Sequence, residues 1–317
     1  MITSEKSLFI HTHSLSKDYL QQASKWFDPM VETLTKHQTS AGKPLIVGIN
    51  GCQGSGKTTF ADYLSLSFKA RGLSSIAISI DDFYLTQQQR QHLATEAHPL
   101  LMTRGVPGTH DLALALKTLN ALKEGLGDIA IPRFNKAQDD RFPQKDWSNI
   151  KAPVDIILLE GWCVGVAAQA EKELIHAINP LEALEDSDGR WRQYVNQELA
   201  TSYKKLWELL DRMIMLQAPS FDCVYKWRLE QEQKLSHNHL HSHYAKSNKI
   251  MAPDQIKHFI QHYERLTRHC LNDLPKHCDH VFELTRERQI LSHYSQTPLS
   301  NYHDNNRHNN ENSSDVL

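Results

Sequence analysis

Gly51-Cys52-Gln53-Gly54-Ser55-Gly56-Lys57-Thr58 carries the clearest chemical content of the chain. Glycines and a Lys-Thr pair at this spacing, G-x-x-x-x-G-K-[ST], describe a loop whose backbone N–H groups turn inward around phosphate oxygens. The glycines supply the backbone freedom that such a curl needs. A helix opening at Lys57 adds the positive end of its dipole to the same anion. On this reading Gly51, Gln53, Gly54, Ser55, Gly56, Lys57, Thr58 and Thr59 line a nucleoside triphosphate. Lys57 reaches the β- and γ-phosphates, and Thr58 offers its hydroxyl to Mg²⁺.

The nearby carboxylates decide what is done with the phosphate. Asp81 and Asp82 follow the apolar run Ile76–Ile80, and Glu160-Gly161 follows Val154–Leu159. In an open parallel sheet, such strand ends share one edge with the phosphate loop. An acid there can hold the Mg²⁺ shell or take the proton of an attacking hydroxyl. Asp81 is read as the general base and Glu160 as a magnesium or water ligand. A helix cap or turn is the structural alternative for Asp81 and Asp82, and the division of roles among the three acids stays open. No Asn-Lys-x-Asp guanine signature is present, since Asn135-Lys136-Ala137-Gln138 lacks the Asp. The expected nucleotide is ATP.

Arg104, Arg133, Lys136 and Arg141 lie in the long stretch between those two strands. Together they are expected to clamp an anionic acceptor, because guanidinium groups bind carboxylates bidentately. Singly, each reads more readily as a solvated surface charge. Farther on, Arg228 on a polar helix is read as a lid residue over the γ-phosphate. The alternative is an i,i+4 pair with Glu232.

Five short runs, Leu45–Ile49, Ile76–Ile80, Val154–Leu159, Met213–Leu216 and Val281–Leu284, are apolar on both faces, as in strands covered on two sides. Helical patterns lie between them, over Lys57–Lys69, Asp111–Lys123, Trp191–Leu210, Phe221–Leu235 and Asp254–Cys270. Alternating strands and helices imply a three-layer α/β domain with a parallel sheet. Residues 1–42 read as an N-terminal helical extension, 43–294 as the domain with its insertions, and 295–317 as a disordered polar tail. Charged residues are 23% of the 317 and the net charge is −2, which gives no field suited to nucleic acid or an anionic membrane. No apolar run is long enough for a membrane span, and the first residues do not resemble a signal peptide. Five scattered cysteines fit reduced thiols, and a cytoplasmic location is expected.

With these residues assembled, the chain resembles the phosphoribulokinase and uridine kinase group of P-loop kinases. Within that group it resembles the plant-type D-glycerate 3-kinases and their yeast and bacterial relatives. Ile80-Asp81-Asp82-Phe83-Tyr84-Leu85-Thr86, Arg104-Gly105 with Pro107-Gly108-Thr109-His110-Asp111, Glu160-Gly161-Trp162 and Trp227-Arg228 carry the likeness, beside the phosphate loop. It implies a five-stranded sheet of order 2-3-1-4-5 and a lid after the fourth strand. It also implies phosphoryl transfer from ATP to a hydroxyl, with glycerate the plant substrate. Asp82, Tyr84 and His110, which lie in these motifs, become candidate acceptor contacts. The chain departs from the pattern at Phe134-Asn135-Lys136, where an Asp is expected at the middle position. Pantothenate-like acids, uridine and sugar acids are the alternative acceptors, and an ATP-binding regulator is the alternative class.

Two further features invite chemistry. His237, His239, His241 and His243 recur at every second position, on one side of any extended segment, where they could hold Zn²⁺ or Ni²⁺; a polar loop is the default. Cys52 lies inside the phosphate loop, where surrounding N–H groups are expected to lower its pKa and expose it to oxidation.

Overall fold

The computed structural model describes residues 2–125, 127–240 and 251–296. Helices α1 (Ile2–Thr12) and α2 (Asp18–Ala41) precede strand β1 (Leu45–Gly51), and α3 (Lys57–Lys69) leads to β2 (Ser75–Ser79). The first insertion holds α4 (Gln87–Glu96), α5 (Leu112–Glu124) and two small antiparallel ribbons, Asp128–Ile131 with Ser148–Lys151 and Phe134–Asn135 with Asp140–Arg141. After β3 (Ile156–Gly161) come α6 (Pro180–Glu185), α7 (Arg190–Glu198) and α8 (Lys204–Trp207). Strand β4 (Arg212–Gln217) is followed by α9 (Asp222–Leu240), α10 (Pro253–Asp273), β5 (His280–Leu284) and β6 (Ile290–Ser295).

Across the central sheet the order is β6-β5-β4-β1-β3-β2. The first five strands are parallel, and β6 turns back antiparallel on β5. The sheet therefore has six strands, one more than expected. Strand β6 escaped the sequence reading because it is an edge strand with Leu291, Tyr294 and Ser295 exposed, so its composition is that of a loop. Ser295 thus belongs to the sheet, and the tail from 297 lies outside the described residues.

Every residue of β1 is buried, and its side chains alternate between two cores. Leu45, Val47 and Ile49 pack with Phe27 and Leu34 of α2, Phe60 and Leu64 of α3, and Trp227 of α9. Ile46 faces Leu119 of α5, Tyr203, and Leu266 of α10. The N-terminal extension is two helices, and α2 is part of the first layer rather than an appendage. Register then sets the site: Ile49 lies beside Glu160, and Glu160 beside Ser79. The loops leaving β1 and β2 and the carboxylate of β3 consequently meet at one edge.

The expected helix over 191–210 is interrupted by a π turn at Leu199–Tyr203, which leaves Tyr203 fully buried facing the first insertion. Helix α9 runs to Leu240, so His237 and His239 stand on helical backbone. His241 and His243 lie outside the described residues. Among the described residues no helix is long and apolar enough to cross a membrane.

Phe60 stacks edge-on to Phe27 at 4.5 Å and lies 5.9 Å from Phe282, joining α2, α3 and β5. Phe60→Ala is expected to destabilise the fold by about 3–5 kcal/mol, because the surrounding rings cannot collapse into the void. Urea unfolding measures it, and a loss under about 1 kcal/mol would mean that the three elements do not share one core.

Candidate active site

The phosphate loop bends at Gly54 (φ +79°) and Gly56 (φ +90°), conformations that side chains rarely tolerate. At Gly54 a Cβ would also fall 2.5 Å from Trp227 Cβ, so α9 packs directly on the loop. Gly56 caps α3, whose first turn carries Lys57, Thr58 and Thr59. Thr58 Oγ1 donates to Glu160 Oε1 at 3.0 Å, and Lys57 Nζ lies 4.0 Å from Glu160 Oε2. Thr59 is turned another way: its hydroxyl lies 3.3 Å from His13 Nδ1, in the turn after α1. Cys52 is buried, and burial pushes its thiol up to about 12 against the pull of Lys57. The expectation of an activated Cys52 thiolate fails for that reason.

Ser55 Oγ and Glu160 Oε2 are buried without a hydrogen-bond partner in the protein. Burial raises the Glu160 carboxyl above its ordinary value, with Asp81 adding to the effect and Lys57 opposing it. A triphosphate with Mg²⁺ supplies what both atoms lack, an acceptor for the Ser55 hydroxyl and a cation for the Glu160 oxygen. The residues present therefore fit Mg·ATP, with Thr58 and Glu160 on the metal side.

Asp81 and Asp82 separate cleanly. Asp82 Oδ2 accepts from Arg133 Nη1 at 2.8 Å, and its Oδ1 accepts the Phe134 N–H at 3.2 Å. It fastens the insertion loop to the end of β2, and both of its oxygens already have partners within the protein. Asp81 accepts the Tyr84 hydroxyl at 2.7 Å and Lys136 Nζ at 2.6 Å. Burial would raise its pKa, but Lys136 and Lys57 prevail and hold it well below the usual carboxylate range.

The four cations expected to form an anion clamp all have carboxylate partners. Arg104 pairs with Asp139, Arg133 with Asp82, Lys136 with Asp81, and Arg141 with Asp111 at 3.2 Å. Unpaired charges in such a loop would be costly, so the acids of the insertion neutralise it internally. Arg141 also donates to Tyr84 O at 2.8 Å. Asn135 Oδ1 accepts the N–H groups of Ala137 and Gln138, shaping the turn as an Asp would. The departure at Asn135 therefore lies in the loop's own scaffold. Arg228 pairs with Glu232, as its alternative reading had it, and packs over Phe259.

His110 is buried, stacked on Tyr84 at 4.6 Å, with Nδ1 2.5 Å from the Tyr203 hydroxyl and Nε2 unpartnered. Sequence reasoning missed Tyr203, and also Tyr263, whose hydroxyl donates to Arg104 O at 2.9 Å under Gly105. It missed Arg90, 1% exposed, which donates to Met102 O and the Asp139 backbone and pairs with the Asp139 carboxylate. Arg90 stands in Gln87-Gln88-Gln89-Arg90-Gln91, a segment that looks fully solvated, so no local signal marked it.

The phosphoribulokinase / uridine kinase family model matches residues 46–176. An uncharacterized kinase of Schizosaccharomyces pombe is 30% identical over 254 residues, 74% of this chain and 84% of that protein. The chloroplastic D-glycerate 3-kinase of Arabidopsis thaliana is 30% identical over 230 residues, 69% of this chain and 46% of the plant protein. The solved structure of D-glycerate 3-kinase from Cryptococcus neoformans superimposes with a TM-score of 0.72 at 26% identity, covering 89% of this chain and all of that one. The chain belongs to the phosphoribulokinase/uridine kinase family. This family member is a phosphotransferase that acts on a hydroxyl of a small molecule.

Two outcomes follow for this kinase. Gly54→Ala should weaken ATP binding by more than about tenfold, because the loop and Trp227 cannot both keep their places. Titration with ATP, at a temperature where the variant's circular dichroism is native, checks this; unchanged affinity would mean that the loop can shift away from α9. Burial also lowers His110, His262 and His280 to about 4. Each takes up a proton in the unfolded chain near pH 6.5 and in the fold only near 4, so stability present above 6.5 is lost as pH falls through that window. His110→Asn should flatten the stability curve between pH 6.5 and 4.5 by roughly 2 kcal/mol. An unchanged slope would show that His110 is not held neutral.

Proposed function

We propose that this kinase transfers the γ-phosphoryl group of Mg·ATP to a hydroxyl of D-glycerate. The position of Asp81 supports the reading best. Its carboxylate stands at the strand-end edge that carries the phosphate loop, bonded to Lys136 of the insertion loop and within the electrostatic reach of Lys57 and Glu160. Relatives named as D-glycerate 3-kinases support the choice of acid. Buried, unbonded cysteines suit a reducing compartment, and the cytoplasm is the proposed place of action.

In this mechanism the N-terminus of α3 and Lys57 hold the β- and γ-phosphates in line with the acceptor. Mg²⁺, when bound by Thr58 and Glu160, neutralises charge on the phosphate oxygens. Asp81 takes the proton of the acceptor hydroxyl as that oxygen bonds to the γ-phosphorus and ADP leaves. Tyr84 orients Asp81 by its hydrogen bond, and neutral His110 presents its free Nε2 within the same buried wall. Arg104 and Arg141, tied to Asp139 and Asp111, hold the shape of the insertion loop on the acceptor side. Arg228 adds a cation from α9 near the phosphate loop.

ADP release with Mg·ATP should rise with D-glycerate and stay low with L-glycerate, pantothenate, uridine or no acceptor. Asp81→Asn should lower turnover by roughly 100-fold or more while ATP affinity stays within about threefold. An Asp81→Asn enzyme at full speed would remove Asp81 as the base, and stimulation by another acceptor alone would replace D-glycerate.

A further inference from the structure

We propose that Lys136 keeps the base Asp81 covered until an anionic acceptor arrives, and so makes phosphoryl transfer depend on the acceptor's carboxylate. The proposal rests on the acceptor class given above and adds how the site recognises it.

Among the cations of the insertion loop, Lys136 has a distinct partner. Arg104, Arg133 and Arg141 are tied to Asp139, Asp82 and Asp111, acids that hold the loop together. Lys136 is tied to Asp81, the acid at the reacting centre, over 2.6 Å. Asp81 Oδ1 takes the Tyr84 hydroxyl, so each carboxylate oxygen already accepts a strong bond. Asp81 in that state is a poor proton acceptor for any hydroxyl, including that of water.

The cover is built to come off. Lys136 side chain is 62% exposed, whereas that of Arg141 is 13% exposed and locked on two partners. It sits in the turn of the ribbon Phe134–Asn135 with Asp140–Arg141, and Asn135 fixes that turn through Ala137 and Gln138. The backbone is therefore held while a flexible four-carbon arm carries the charge. A half-exposed ion pair exchanges easily for another of the same kind. A hydroxy acid offers both halves of the exchange: its carboxylate replaces Asp81 as the partner of Lys136, and its hydroxyl replaces Lys136 as the donor to Asp81.

With Lys136 on the acceptor, Asp81 Oδ2 takes the hydroxyl proton. The acceptor oxygen bonds to the γ-phosphorus, and the bond from phosphorus to the β–γ bridging oxygen breaks with its electron pair going to ADP. Water and neutral alcohols carry no carboxylate, so Lys136 stays on Asp81 and ATP is spared.

Lys136→Met keeps an unbranched arm, one atom shorter, and removes its charge. Without any acceptor, its ADP release should exceed that of the native enzyme by about tenfold, the factor that one unit of base strength represents. Its preference for D-glycerate over glycerol in kcat/KM should shrink by a similar factor, and Lys136→Arg should retain the low background. Asp81→Asn in the Lys136→Met background should remove the extra hydrolysis, which a merely structural role for Lys136 would not predict. Native background with an undiminished preference for the acid overturns the proposal. The background arm needs no acceptor: a rise in an enzyme that ignores D-glycerate supports the cover and sinks the glycerate reading. D-glycerate turnover with no rise and no loss of preference does the reverse.

Discussion

A carboxylate at the end of a fully buried strand requires counter-charge, and Glu160 has only part of it. Thr58 satisfies one oxygen, and Lys57 stands 4.0 Å from the other, too far for a hydrogen bond. Much of the architecture can be understood from that deficit. The sheet order brings β1 and β2 to either side of β3, so the phosphate helix and Asp81 converge on the same incompletely neutralised point. Trp227 closes the far side of the loop at Gly54, which keeps the N-terminus of α3 aimed at the point rather than drifting with the loop.

The insertion solves the opposite problem. It carries cations toward a region that already holds acids, and Arg90, Arg104, Arg133, Lys136 and Arg141 each find an acid from a different stretch of chain. Arg90 binds Asp139, Asp139 binds Arg104, and the Arg104 carbonyl accepts from Tyr263 of α10. Polar networks of this kind fix geometry more than they add stability, since desolvation offsets most of the attraction. In the wall they form around Tyr84, His110 and Tyr203, His110 Nε2 and Arg141 Nε are buried without a partner.

How much of this was legible in the sequence depended on whether neighbours in space were neighbours in the chain. The phosphate loop was readable because its glycines, Lys57 and Thr58 all lie within Gly51–Thr58, though Trp227, which packs on it, does not. Glu160 and Asp81 were findable because each ends an apolar run, and strand ends share an edge in a parallel sheet. The separation of Asp82 from Asp81 was not readable, because it depends on Arg133 and Phe134 reaching back across 50 residues. The internal pairing of the clamp cations was hidden for the same reason: Arg104 and Arg141 looked free because Asp139 and Asp111 had no visible claim on them. Strand β6 was hidden by its exposed edge, and the π turn at Leu199–Tyr203 by a helical pattern that runs straight through it.

The central position of β1 has a consequence for synthesis. Its two sheet neighbours begin at Ile156 and Arg212, more than a hundred residues downstream, and the ring that joins Phe27 to Phe60 is completed only by Phe282. At roughly 5–20 residues per second on the ribosome, β1 emerges seconds before the strands that flank it, with α2 and then α3 to cover one of its two faces. The complete nucleotide site therefore cannot be assembled by a nascent N-terminal piece. It must wait for Glu160 of β3 and for Trp227 of α9.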